Sequence, residues 1–267
     1  MTDIQDVLTD LNTDCDEIDR LVVGLKESQW QLPTPAPGWT IAHQIAHLTA
    51  TFQMAATAAA DPGAFRAFLA GISTDFTANV AAAMAPYLAL RPTELLGRWQ
   101  AERAHVTNAL AAVPPGEVVP WLVRPLPPVI LACAGIMEAF AHGQDIADAL
   151  GEQREQTDRL KHLVIFAALV WDFGYQARGM TPPDVQFRYV ITAPSGEVWT
   201  FGPPDATQVI EGPAADFCLL VTRRRHRDDL SITASGADAE QWLDIAQAYR
   251  GPAGEGRTPG QFAAARR

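Results

Sequence analysis

Cysteine is scarce in this chain. Cys15, Cys133 and Cys218 are odd in number, far apart and never in Cys-x-x-Cys spacing, which argues against a disulfide framework and a zinc knuckle. Each lies in an apolar-periodic stretch, where a free thiol serves as a small core residue rather than a nucleophile. Basic charge is also short. Against 31 Asp and Glu stand 20 Lys and Arg, a formal charge of -11, which repels phosphate backbones and anionic lipid surfaces. Neither nucleic acid nor a membrane is expected as partner. Long apolar runs are missing too: the longest uncharged one, Leu163 to Trp171, falls well below the roughly 20 residues that span a bilayer. The opening Met1-Thr2-Asp3-Ile4-Gln5-Asp6 has acids where an export signal carries basic residues. A cytoplasmic location is expected.

What the chain does have is apolar residues, 48% of 267, with 19% charged. That is a globular composition, large enough for one large or two ordinary domains. Ile4, Leu8, Leu11, Cys15, Ile18, Leu21 and Val22 recur at helical spacing and predict an opening amphipathic helix. The proline-rich stretch Leu32 to Gly38 is a connector. Thr40 is placed to cap a second helix that runs to Ala60 and stops at Asp61-Pro62-Gly63. A third helical region spans Ala64 to Met84, bounded by Pro86. A fourth runs from Thr93 to Val113, and a strongly apolar fifth from Val129 to Leu150, closed by Gly151. A last long helix is predicted from Thr157 to Arg178, with Gly179 after it.

Beyond Pro183 the pattern alternates with period two. Val185 to Ile191 and Val198 to Phe201 predict a hairpin about Pro194-Ser195-Gly196, Gln208 to Ile210 a third strand and Leu230 to Thr233 a fourth. Short helices are predicted over Ala214 to Thr222 and Ala237 to Tyr249. The fold class is thus α+β: an up-and-down helical bundle over residues 1–180, a smaller α+β domain over 181–250 and a loose tail over 251–267.

Two bundle helices carry potential ligands in apolar surroundings. His43 and His47 are four residues apart, as are Glu138 and His142, with Asp145 one turn further on; this spacing stacks side chains on one helix face, about 6 Å apart. A carboxylate and an imidazole from one helix, meeting an imidazole from a facing one, form a 2-His-1-carboxylate set with open positions. Glu138 is the charge that points to it: Leu131 to Phe140 holds no other, and a buried carboxylate requires compensation by a cation. Position 44 is Gln, so His-Glu-x-x-His is absent and a zincin-type protease is disfavoured. Spacing alone does not choose between His43 and His47.

Pro37-Gly38-Trp39-Thr40-Ile41-Ala42-His43-Gln44-Ile45-Ala46-His47-Leu48 resembles the opening motif of the mycothiol-dependent maleylpyruvate isomerase family, within the DinB-like superfamily. The family presents its metal-binding His just before a Leu, which here is His47. Glu138-Ala139-Phe140-Ala141-His142-Gly143-Gln144-Asp145 is similar to its Glu-x-x-x-His-x-x-Asp, so the resemblance implies Glu138 and His142 as the other ligands. Val209 to Arg224 resembles the family's second domain, whose short helix ends in Gly-Arg. The arginine falls on Arg224, and Arg223 stands where Gly is usual. The stretch Arg223 to Asp229 is more basic than the family's and reads equally as a solvated helix end.

The resemblance implies a divalent-metal enzyme, with zinc the expected ion and mycothiol a thiol cosubstrate. It would act as an isomerase or S-transferase on a small electrophilic metabolite, with Arg224 and Asp145 as further catalytic residues. A thiol-independent metal enzyme of secondary metabolism, catalysing hydrolysis, dehydration or cyclisation, and a non-catalytic metal-binding protein are the alternatives. Monomer and homodimer stay equally open.

Overall fold

The computed structural model describes residues 3–262. The chain divides into two compact units between Gln153 and Arg154.

The first unit is helical. Helix α1 (Ile4–Val22) is capped by the Asp3 side chain, which accepts from the Gln5 N–H, and buries Val7, Leu8, Leu11, Cys15, Ile18 and Val22, the stripe its spacing predicts. After the proline-rich connector, α2 (Ile41–Ala60) follows Thr40. The predicted third helix is two: α3 (Pro62–Ala70) and α4 (Phe76–Leu88). Asp61 caps the first through Gly63 and Ala64, and Asp75 caps the second through Ala78. Between them Ser73 and Asn79 exchange side-chain and backbone hydrogen bonds that a continuous helix could not make. Helices α5 (Pro92–Ala111) and α6 (Pro128–Leu150) complete the unit. Helices α1, α2, α5 and α6 pack on one another, with α3 and α4 against α2. Helix α6 is buried on nearly every side, as its apolar sequence requires. A Cβ on Gly135 would lie 3.3 Å from Leu11, so glycine lets α1 come close there. Phe52 and Trp99, ring centroids 5.0 Å apart, fill the core between α2 and α5.

The second unit is α+β. It opens with α7 (Leu160–Leu169) and α8 (Phe173–Gln176), where one helix to Arg178 is expected. Just past the end of α7 the Trp171 carbonyl makes a tertiary contact, accepting from the Trp242 indole N–H at 2.9 Å. Strands β1 (Phe187–Thr192), β2 (Val198–Phe201) and β3 (Gln208–Pro213), with β4 (Thr233–Ser235), form a sheet in the order β2-β1-β3-β4. The predicted hairpin is present with Ile191 opposite Trp199, while β1 and β3 run parallel. Helices α9 (Ala214–Val221) and α10 (Ala237–Ile245) pack on the sheet around Phe187, Tyr189, Phe217 and Trp242. Helix α7, expected in the bundle, packs on α9, which moves the division from the expected 180 to 153.

The segment after Gly251, expected as a loose tail, is held as far as Phe262. The Arg223 guanidinium donates to the Ala253 and Gly254 carbonyls, Arg225 covers the Phe262 ring at 3.8 Å, and the Asp229 carboxylate accepts from the Gly260 N–H at 2.9 Å. The rest of that tail, 263–267, lies outside the described residues. Among the described residues no helix is long and apolar enough to cross a membrane.

Candidate metal centre

The two histidines of α2 have different surroundings. At the start of the helix the Thr40 N–H donates to His43 Nδ1 at 3.3 Å, and the Thr40 hydroxyl lies 2.8 Å from the same nitrogen, so His43 closes the first turn. One turn on, His47 Nε2 lies 3.6 Å from Glu138 Oε2 of α6. His142, one turn beyond Glu138, brings its Nε2 within 3.2 Å of the same oxygen. The ligand atoms of His47, Glu138 and His142 all lie within 4.8 Å of one another. They form the single such group of three or more His, Cys, Asp or Glu among the described residues.

The surroundings are part apolar, part polar. Trp39 stacks on His142, with ring centroids 5.9 Å apart and planes 19° apart, and meets His47 at a tilt of 56° with centroids 5.3 Å apart. The side chains of His47, Glu138 and His142 keep 18%, 20% and 11% of their surface exposed, so the cluster is reachable from outside the core. His142 Nδ1 meets Gln44 Oε1 at 2.5 Å; the Gln44 amide nitrogen donates to the Thr34 hydroxyl at 2.8 Å, and that hydroxyl donates to the Trp39 carbonyl at 3.0 Å. Burial alone would push the Glu138 carboxyl up, but hydrogen bonds from His142 and His47, and their charge, hold it well below the usual carboxylate range.

Two imidazole nitrogens and a carboxylate oxygen are the donors that borderline divalent ions prefer, and three of them leave positions open for a substrate. The donor set and its convergence therefore fit a resident divalent metal.

The remaining candidates lie elsewhere. Asp145 is fully buried on α6, one turn past His142. Arg224 belongs to the second unit, where it follows α9; it is 9% exposed and its Nη1 donates to the Thr222 carbonyl at 2.6 Å. Arg223 takes a left-handed backbone, φ 58°, and two bonds, from the Arg223 N–H to the Leu220 carbonyl and from Arg224 to Leu219, close α9 as a Schellman motif. The basic stretch is thus engaged with protein, Arg227 pairing with Glu240 and Asp244 at 2.6 Å each. Sequence reasoning missed Trp39 and Thr34 as parts of the centre, and took Gln44 only as the residue that breaks His-Glu-x-x-His. The available signal was an amide at an apolar helix position, three residues before His47.

Residues 11–147 match the family described as mycothiol maleylpyruvate isomerase N-terminal domain, a stretch that contains all three ligand candidates. Two uncharacterised proteins, from two strains of Mycobacterium tuberculosis, are each 40% identical over 257 residues, covering 96% of this chain and 100% of theirs. The fold is similar to the crystal structure of the mycothiol-dependent maleylpyruvate isomerase, with TM-score 0.57 at 16% identity over 88% of this chain and 93% of that one. A histidine-to-alanine mutant of that isomerase matches with the same TM-score, 0.57, at 15% identity.

Proposed function

Because this chain belongs to the family of the mycothiol maleylpyruvate isomerase N-terminal domain, we propose that it is a divalent-metal enzyme using mycothiol as cosubstrate to isomerise, or to transfer sulfur to, a small electrophilic metabolite. The observation that carries this reading is the convergence of His47, Glu138 and His142 within 4.8 Å, inside the family-matched residues. When bound, the ion supplies Lewis acidity that favours a thiolate over a thiol at neutral pH, and zinc suits the donors best.

The chain's own residues do the rest. Glu138 contributes the one negative charge of the ligand set, so a dication keeps net positive charge for an incoming thiol. Trp39 covers the face of His142 and limits water there. Addition of a thiolate sulfur to an activated double bond leaves a single bond free to rotate. Departure of the sulfur then gives the isomer with no net change in composition, and its retention, with a proton added to the carbon that took up the negative charge, gives the S-transfer product. Arg224 and Asp145 are proposed as further catalytic residues, Arg224 to hold a substrate carboxylate or stabilise an enolate oxygen and Asp145, one turn from His142, to support that ligand or face the substrate.

Metal analysis of purified protein, with His47→Ala and Glu138→Ala beside it, tests the centre. Near-stoichiometric divalent metal in the wild type and its loss in both variants is the expected result. Product mass spectrometry with and without mycothiol tests the reaction, and turnover that persists without any thiol would retire the cosubstrate in favour of direct hydrolysis, dehydration or cyclisation.

A further inference from the structure

Gln44 is fully buried, and its side chain bridges a metal-ligand candidate to the proline-rich connector. The direction of every hydrogen bond in this bridge follows from its far end. The Trp39 carbonyl can only accept, so the Thr34 hydroxyl spends its proton there, 3.0 Å away. That hydroxyl must then accept from Gln44, which puts the amide nitrogen toward Thr34 at 2.8 Å and the amide oxygen toward His142 at 2.5 Å. An amide oxygen has no proton to give, so His142 Nδ1 must carry one. The neutral ring is left with its lone pair on Nε2, the atom 3.2 Å from Glu138 Oε2. A lone pair facing a carboxylate oxygen at that distance is repulsive unless a cation lies between them: a proton when the ring is charged and donates to Glu138 through Nε2, a metal ion when the ring is neutral.

We infer that Gln44 is a positioning residue of the centre: with Thr34 behind it, it fixes the Nδ1–H tautomer and ring orientation of His142 and so presets Nε2 for a divalent metal. Gln44 also does this without charge. A carboxylate in its place would add a second negative charge beside the ligand set, whereas the amide leaves a bound dication with net positive charge. The inference rests on the metal reading above, and its test separates the two.

Long-range proton–nitrogen spectra of the metal-free protein, recorded above the imidazole titration range, read the tautomer directly. His142 is expected as the Nδ1–H form in wild type and as a mixture in Gln44→Met, which keeps the side-chain length and removes the acceptor. Chelator competition with zinc is expected to show a loss of roughly 10- to 100-fold in Gln44→Met, the range for removal of a group that orients a ligand. Gln44→Glu, which retains an acceptor oxygen, is expected to hold zinc within about tenfold of wild type. A general packing defect would not be rescued by Glu. Should Gln44→Met fail to fold, Thr34→Val removes the hydroxyl that sets the amide's direction and must weaken zinc in the same sense, by less. A wild-type protein with the proton on His142 Nε2, or a Gln44→Met protein that binds zinc as tightly as wild type, would overturn the inference alone. A wild-type protein that takes up no zinc overturns the metal reading and the inference with it.

Discussion

Glu138 is an acid in an apolar segment of α6, and its ionised form is sustained by the imidazoles on either side of its Oε2. Its carboxyl titrates below the ordinary value of 4.5 in the folded chain, so the stability it contributes is present above that pH and is lost as the pH falls through the folded pKa. In metal-free protein the gap in urea midpoint between wild type and Glu138→Gln is therefore expected to be widest just above pH 4.5 and to close on further acidification. A gap that widens toward acid would contradict this. Glu138 and His142 were legible in the sequence because a turn of helix converts a spacing of four into proximity and a lone charge in an apolar run demands an explanation. Gln44, Thr34 and Trp39 were not. Their partnership depends on how the connector folds back over the start of α2, where the Thr34 N–H reaches the Trp39 carbonyl at 2.8 Å, and no periodicity encodes that.

Individual elements show where local pattern yields to tertiary contact. The apolar period from Thr157 to Arg178 is unbroken, yet the helix stops at Leu169, and the Trp171 carbonyl just beyond it serves the Trp242 indole. Helix α9 ends on Arg223 in a conformation that costs an L-residue about 1–2 kcal/mol, and its guanidinium holds the Ala253 and Gly254 carbonyls. Arg223→Gly removes the backbone strain and the clasp together. It is expected to leave the urea midpoint of the second unit the same or slightly raised while trypsin cuts faster at Arg250 and Arg257. Unchanged cleavage would mean that Arg225 and Asp229 hold the segment by themselves. Strand β1 was easy to read, since Phe187, Tyr189 and Ile191 alternate inward as period two requires, whereas the fourth strand, expected over Leu230 to Thr233, lies at Thr233–Ser235, where Ala234 pairs with Ile210 of β3.

At the scale of the whole molecule, all three ligand candidates belong to one of two separately compact units. A ligand that binds only the folded state stabilises it by about 2.7 kcal/mol at a hundred times its dissociation constant. Hydrogen exchange with and without zinc is expected to slow in α2 and α6, which carry the donors, and to stay unchanged in β1, β2 and β3. Protection spread evenly over both units would place the ion elsewhere. The α+β class and the bundle of α1, α2, α5 and α6 were legible from helical period and proline punctuation. The point of division was not, because whether α7 packs with the bundle or with α9 is decided by which apolar face it finds, and its own sequence suits either.

Glu138 and His142 ride a single turn of one rigid rod, whereas His47 stands alone on another. The pair moves as one jaw of a caliper, so a change of ionic radius has to be absorbed on the opposite jaw. Discrimination among cations of different size is thereby handed to the gap between two helices, and bulk added far from any donor atom could retune it.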